Sequence, residues 1–204
     1  AKRAEQIARD NNKERAHTAL ADFIAPKETG VADWIGGFAV GIHGIEPHLE
    51  RFRAAHDEFA DHVARIKAAM EVAPEPRVPC NNDLLAANII DDGTRLWLID
   101  YEYSGNNEAS FELGNIWSES TLPDDALDVL VEAYWQRTDP AKVARARLWA
   151  LMSKYGWTLW ASIQASVSPI EFDYWSWGME KYDRAVQTFD SPDFARMLDA
   201  IARP

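Results

Sequence analysis

The chain has 204 residues, 47% of them hydrophobic and 26% charged, the profile of a globular protein with ample material for a core. Its 21 Lys and Arg against 33 Asp and Glu leave a formal net charge of −12. A surface of that sign repels phosphate backbones and anionic lipid, which sets aside nucleic-acid and membrane-surface roles and suits a small cationic ligand. Cys80 is the only cysteine, so an internal disulfide and a thiolate-rich zinc site are excluded. No apolar run is long enough to span a bilayer and no signal-like segment opens the chain, so the cytoplasm is the expected compartment. The nine tryptophans read either as a Trp-rich core or as an aromatic binding site.

In chain order, the start at Ala1-Lys2-Arg3-Ala4 lacks methionine and is already helical in composition, as in a chain entered in the middle. Residues up to about His17 are polar and helix-compatible. The stretch Ala25-Pro26-Lys27-Glu28-Thr29-Gly30 is turn-rich, and Gly36-Gly37 interrupts an apolar segment around Trp34 and Phe38. Leu49, Phe52, His56, Phe59, Val63, Ile66 and Met70 then recur at steps of three and four, the stripe of an amphipathic helix. His56 on that stripe reads as a hydrogen-bonded core histidine. Pro74, Pro76 and Pro79 stop the helix and force an extended approach to Cys80.

Between Ile89 and Ile99 the period shortens. Asn88-Ile89-Ile90 and Leu96-Trp97-Leu98-Ile99 flank Asp91-Asp92-Gly93-Thr94, the pattern of a β-hairpin with a glycine-containing turn. Beyond Pro123 helices are predicted over Asp124 to Arg137, Pro140 to Gln164, Tyr174 to Phe189 and Pro192 to Ala202. Ser191-Pro192-Asp193 supplies an N-cap serine, a proline in the first turn and an acid to start the last. The expected fold is therefore mainly α with one small β-hairpin, an α+β arrangement without internal repeats. It divides into a helical and irregular lead-in (1–77), a loop-and-hairpin segment (78–105) and a helical remainder (106–204).

Chemistry concentrates at the hairpin. Asn81-Asn82-Asp83-Leu84-Leu85-Ala86-Ala87-Asn88 presents an aspartate and an asparagine five positions apart on a loop entering a strand, and the next strand runs into Asp100-Tyr101-Glu102. Phosphoryl transfer to an alcohol needs a carboxylate that orients the hydroxyl and takes its proton, and oxygen ligands that hold Mg²⁺ against the phosphates. Asp83 fits the first role, Asn88 and Asp100 the second. Each residue alone is an ordinary turn or cap residue; joined in this order across a short hairpin they point to a kinase.

The run from Cys80 to Ile89, together with Leu98-Ile99-Asp100-Tyr101-Glu102-Tyr103-Ser104-Gly105, resembles the choline/ethanolamine kinase family within the broader aminoglycoside-phosphotransferase-like group. The resemblance continues through Phe111-Glu112-Leu113-Gly114-Asn115, Trp157-Thr158-Leu159-Trp160, Ile163-Gln164 and Ile170-Glu171-Phe172. It covers roughly Val78 to Phe189, and it implies the C-terminal lobe of a protein-kinase-like fold and an ATP- and Mg²⁺-dependent kinase of choline or a related amino-alcohol. The family usually has histidine at Asn81, where it braces the catalytic loop, so a looser loop is expected here. Glu112 stands where aspartate is common. No Gly-rich phosphate loop and no strand-borne lysine precede Asp83, so the N-terminal lobe is expected to lie outside this chain; most ATP contacts are expected from that lobe, and the isolated fragment is expected to be inactive.

By the same resemblance, Tyr103, Glu119, Trp157, Trp160, Phe172 and Trp177 match positions that line the substrate site. A quaternary ammonium donates no ordinary hydrogen bond and is held by aromatic faces and carboxylates, which suits this set. Trp157 and Trp160, three apart on a predicted helix, could equally be core packing. Trp97, Trp135 and Trp149 read as core, and Glu102 ranks below Asp100 as a metal ligand. Two other readings stand beside this one: a kinase of aminoglycosides or other small molecules, which would favour an acid-rich cleft over an aromatic box, and a non-catalytic kinase-like module that binds a cation.

Overall fold

The computed structural model describes residues 61–202, which fall into two compact units with discontinuous boundaries. Of the described residues, one comprises 68–153 and 191–202, the other 61–67 and 154–190. The Trp34–Phe38 segment and the N-terminal part of the amphipathic stripe, with His56, lie outside the described residues.

Described helix opens at residues 61–72 (α1), and the stripe read from the sequence is buried there: Val63, Ile66 and Met70 are at most 5% exposed. In the first unit the proline-rich approach becomes strand β1, Arg77–Cys80. The hairpin follows as β2, Ile89–Asp91, and β3, Leu96–Leu98, with Ile90 opposite Trp97. Gly93 turns at φ +84°, and the Asp92 carboxylate accepts the backbone N–H groups of Thr94 (2.9 Å) and Arg95 (3.0 Å), which closes the turn. A second two-stranded sheet was not anticipated. Strand β4, Gly105–Glu108, pairs antiparallel with β1, Cys80 facing Gly105 and Arg77 facing Glu108. Gly-Asn-Asn-Glu carries no strand pattern of its own, so only its partner makes it one.

Helix α2, Ala109–Glu119, is also absent from the sequence reading. Gly114 and the polar Asn115 in its middle weaken the helical signal, and the structure shows why both are there. A Cβ on Gly114 would lie 2.1 Å from the Ala146 carbonyl oxygen, so α2 packs backbone-close on α4, Pro140–Val167. Asn115, with no exposed surface, accepts a 2.7 Å bond from the Ser153 hydroxyl on α4. Helix α3, Asp124–Trp135, completes this core by burying Leu127 and Val131 against Ala146, with Trp135 packed on the cluster. Helix α6, Pro192–Ile201, has its proline and Asp193 in the first turn as expected, but Ser191 caps without a side-chain bond. Trp149 is core, 6% exposed, whereas Trp97 is not: it is 43% exposed, because a two-stranded hairpin has no second layer to cover it, and Arg95 lies over its ring.

Charged groups inside this unit seat its helices. Arg145, 3% exposed, grips Glu108 through Nε and Nη2 at 2.7 and 2.8 Å and donates to the carbonyls of Met70 and Ala73. Glu75, 9% exposed, accepts from the Ser110 hydroxyl and Lys142 Nζ, each at 2.7 Å, and from the Ser110 amide at the N-terminus of α2.

In the second unit α5, Tyr174–Phe189, starts on an Asp173 cap that accepts the Ser176 amide and approaches α4 so closely that a Cβ on Gly178 would meet the Ala161 Cβ at 2.6 Å. The Thr158 hydroxyl spans the same contact, 3.2 Å from the Gly178 carbonyl.

Replacing Arg145 with methionine keeps its bulk but leaves Glu75 and Glu108 facing each other without their shared cation. Urea unfolding should show a loss of about 3–5 kcal/mol, as for other buried pairs broken on one side; an unchanged midpoint would show that the network adds nothing to the fold.

Candidate active site

The two sheets fix the geometry. Strand β1 leads into loop 81–88, the hairpin reverses the chain, and segment 99–104 returns to β4. The β1–β4 ladder closes one end of this pair of segments, Cys80 opposite Gly105. The other end is closed by the Ile99 amide on the Asn88 carbonyl, 2.9 Å. Asp83 and Asp100, far apart along the chain, are thereby carried on adjacent segments.

Three asparagines and one glutamate lock the loop. The Glu112 carboxylate, in the first turn of α2, accepts the amides of Asn81 (2.6 Å) and Asn82 (2.9 Å). Burial pushes the Glu112 carboxyl up, and these two N–H groups pull it back down. Asn81 is 4% exposed; its Nδ2 donates to the Asp100 carbonyl at 2.7 Å and its Oδ1 accepts the Asp83 amide at 3.0 Å. Asparagine at this position thus has a brace of its own: an amide offers a donor and an acceptor at once, and both are used. Asn82, with no exposed surface, donates to the Tyr103 carbonyl (2.9 Å) and accepts from Asn107 Nδ2 on β4 (3.1 Å). Asn82 and Asp100 both take left-handed backbone, φ 65° and 60°.

Asp83 is partly buried on this loop and its carboxyl is pushed up to about 7. Burial is the largest cause, followed by the negative charges of Asp100, Glu119, Glu102 and Glu112. The nearby Cys80 thiol is pushed up to about 12, by burial first and Glu112 second, so it is an inert neutral group. Asn88, 8% exposed, donates Nδ2 to the Asp83 carbonyl at 2.9 Å, which leaves its Oδ1 as an acceptor. Asp100 is exposed. Among the described residues no three His, Cys, Asp or Glu side chains are grouped to hold a metal ion. That donor set does not suit a cation caged wholly by protein. It does suit Mg²⁺, which takes one or two protein oxygens and completes its shell with water and phosphate. Of the remaining expected residues, Tyr103 contributes its carbonyl to Asn82, and Glu119, at the end of α2, adds to the field at Asp83.

The aromatic residues assemble in the other unit. Trp160 is central, edge-to-face with Trp157 (centroids 5.6 Å), Tyr174 (5.7 Å) and Trp177 (5.9 Å). Phe172, 54% exposed, joins through Tyr174 at 4.9 Å. Trp157 is buried, and Lys181 Nζ lies 4.3 Å from the Trp177 centroid, a cation on an aromatic face. The Trp160 indole N–H is buried without a hydrogen-bond partner among the described residues. Of the residues that lock the loop, the sequence reading singled out Glu112 only as standing where aspartate is common and gave no role to Asn82 or Asn107.

Among families, the model described as choline/ethanolamine kinase matches residues 45–139. A second, described as the activation domain of vitamin B12 dependent methionine synthase, matches residues 3–71, almost wholly outside the described residues. Ethanolamine kinase 2 of Mus musculus is 28% identical over 191 residues, covering 83% of this chain and 50% of that protein. A probable ethanolamine kinase A of Dictyostelium discoideum is 33% identical over 135 residues, covering 56% and 39%. The chain thus spans about half the length, or less, of these curated relatives. A crystal structure of a choline/ethanolamine kinase family protein from Mesorhizobium loti shares the fold, with a TM-score of 0.68 at 22% identity, over 95% of this chain and 70% of that one. In the sequence of residues 45–139 and in the fold of most of its length, the chain is similar to the choline/ethanolamine kinase family.

Proposed function

We propose that this chain forms the acceptor-side portion of an ATP- and Mg²⁺-dependent kinase that phosphorylates the hydroxyl of an amino-alcohol. The observation that carries the reading is geometric: a locked loop holds the partly buried Asp83, tied to Asn81 and Asn88, on the segment beside the one that carries Asp100, and burial and the surrounding acids raise its carboxyl. A general base works best with its pKa near the working pH, because it is then substantially ionised and still a strong proton acceptor. Asp83 would accept the hydroxyl proton as the alcohol attacks. Asn88 and Asp100 would hold Mg²⁺, which, when bound, offsets the charge on the phosphates and weakens the repulsion around Asp83.

The aromatic cluster supports a cationic acceptor. Edge-to-face rings by themselves are ordinary packing; what they offer a cation is the negative face of each ring, the contact that Lys181 Nζ makes with Trp177 at 4.3 Å. The curated relatives named above are an ethanolamine kinase and a probable one, which supports trying ethanolamine first and choline second as the amino-alcohol. In the unit that carries Asp83, Tyr103 and Glu119 would face the acceptor; in the other unit, Trp157, Trp160, Phe172 and Trp177 form an aromatic surface suited to a cation.

Turnover tests the base. Asp83→Asn should lower kcat by roughly 10²–10⁴ with the fold intact, because an amide cannot take the proton; near-native kcat would remove Asp83 from the mechanism. The pH dependence of stability tests the acid field separately. The folded carboxyl titrates at about 7 against an ordinary 3.8, so between those values the folded protein keeps a proton that the unfolded chain releases. Its contribution to stability is complete below the ordinary value and is lost as pH rises through about 7. The Asp83→Asn protein should therefore gain in Tm over the native one as pH rises from about 4.5 to 8, by ~2–4 °C per kcal/mol of repulsion removed. A pH-independent difference in Tm would contradict the assigned field.

Trp160→Leu keeps apolar bulk and removes the quadrupole, and it is more informative than a change at the buried Trp157. Calorimetry should show affinity for the amino-alcohol weakened by roughly 0.5–2 kcal/mol with ATP binding unchanged. Unaltered affinity would return the cluster to packing alone.

A further inference from the structure

Asn82 has no chemical role of its own in the reading above, yet much of the loop's geometry converges on it. It sits in the left-handed region at φ 65°, a conformation that side-chain-bearing residues adopt reluctantly, although asparagine tolerates it better than most. It has no exposed surface, and each of its N–H and side-chain polar groups is matched: the amide to Glu112 Oε2 (2.9 Å), Nδ2 to the Tyr103 carbonyl (2.9 Å), Oδ1 to Asn107 Nδ2 (3.1 Å). These partners lie on α2, on the segment leaving the hairpin and on β4. Asn81 adds a parallel tie, from its Nδ2 to the Asp100 carbonyl. Two consecutive side chains thus reach across to carbonyls at both ends of the segment Asp100–Tyr103. Asp83 follows Asn82 directly, so the left-handed residue sets the direction in which the loop delivers that carboxylate.

We propose that Asn82 is a positioning residue for Asp83, holding the loop in its left-handed turn and the Asp100–Tyr103 segment at a fixed separation from it. The inference rests on the reading of Asp83 as proton acceptor. It requires two properties together: tolerance of positive φ, and an amide that donates to Tyr103 while accepting from Asn107. Glycine supplies only the first and alanine neither. A residue that merely filled space would give the opposite order, since alanine replaces more of the lost volume than glycine does.

The test uses Asn82→Gly, Asn82→Ala and Asp83→Asn in the intact gene product, with ethanolamine and ATP as substrates and amide exchange as a second readout. Asn82→Gly should lose kcat by about 10- to 100-fold, the penalty of a slightly misplaced group, while KM for ethanolamine stays within about twofold of native. Asn82→Ala should be worse than Asn82→Gly. Amides of residues 81–83 and 101–104 should exchange at least about tenfold faster in Asn82→Gly, with those of α3 at native rates, because the loss is local. Native exchange at 101–104, alanine outperforming glycine, or native kcat in both Asn82 variants beside an inactive Asp83→Asn would each overturn the proposal. If Asp83→Asn itself turned over normally, the reading of the base would fail, and exchange alone would still decide whether Asn82 couples the two segments.

Discussion

A single carboxylate meets two successive backbone amides, and the rest of the site depends on that contact. Glu112 accepts from Asn81 and Asn82 at 2.6 and 2.9 Å, turning a loop whose N–H groups point one way into a fixed platform. The arrangement is reciprocal. Burial raises the carboxyl's pKa and so disfavours its charge, while the two amides favour it. Remove the carboxylate and the left-handed turn at Asn82 loses one of the contacts that hold it there. Glu112 in turn is only as well placed as α2, which is why a residue without a side chain at Gly114 and the Glu75–Arg145–Glu108 network matter to chemistry they do not touch.

The field around Asp83 sets stability against function. Asp100, Glu119, Glu102 and Glu112 all raise its pKa, and burial raises it further. A fold selected for stability alone would not gather these acids around a partly buried aspartate. A site that works with a divalent cation and phosphates has reason to, since the same charges that repel one another attract Mg²⁺ and a cationic acceptor. The overall charge of −12 is compatible with that local logic but does not imply it, because most of the acids among the described residues lie elsewhere on the surface.

Aromatic side chains in this protein do two kinds of work, separated by environment rather than by spacing. Trp149 is buried, edge-on to Phe111 and donating to Glu108 Oε2 at 2.8 Å, a packing residue with its polar atom paired. Trp97 stands on an exposed hairpin beneath Arg95, with its N–H bonded to Asp92. Trp160 combines burial of its N–H with no partner for it, at the centre of three other rings. Periodicity alone gives all three the same weight; hydrogen-bond satisfaction distinguishes them.

Local chemistry in the sequence determined a good deal. The hairpin over Ile89–Leu98 was legible from a change of period and a glycine-containing turn, and the last four helices from their helical pattern, with capping signals at the start of the final one; Asp83, Asn88 and Asp100 stood out as candidates by their order around that hairpin. The position of these residues beside one another was decided by tertiary structure. Strand β4 exists because β1 pairs with it, and Gly-Asn-Asn-Glu has no tendency to extend alone. Helix α2 escaped detection because its interior glycine and asparagine answer to α4 rather than to helix propensity. Asn81 looked like a weakened brace until its two amide ends were seen bonded to Asp100 and Asp83. A one-dimensional pattern records which groups are available; which donor meets which acceptor nineteen or thirty positions away is settled only when the chain closes on itself.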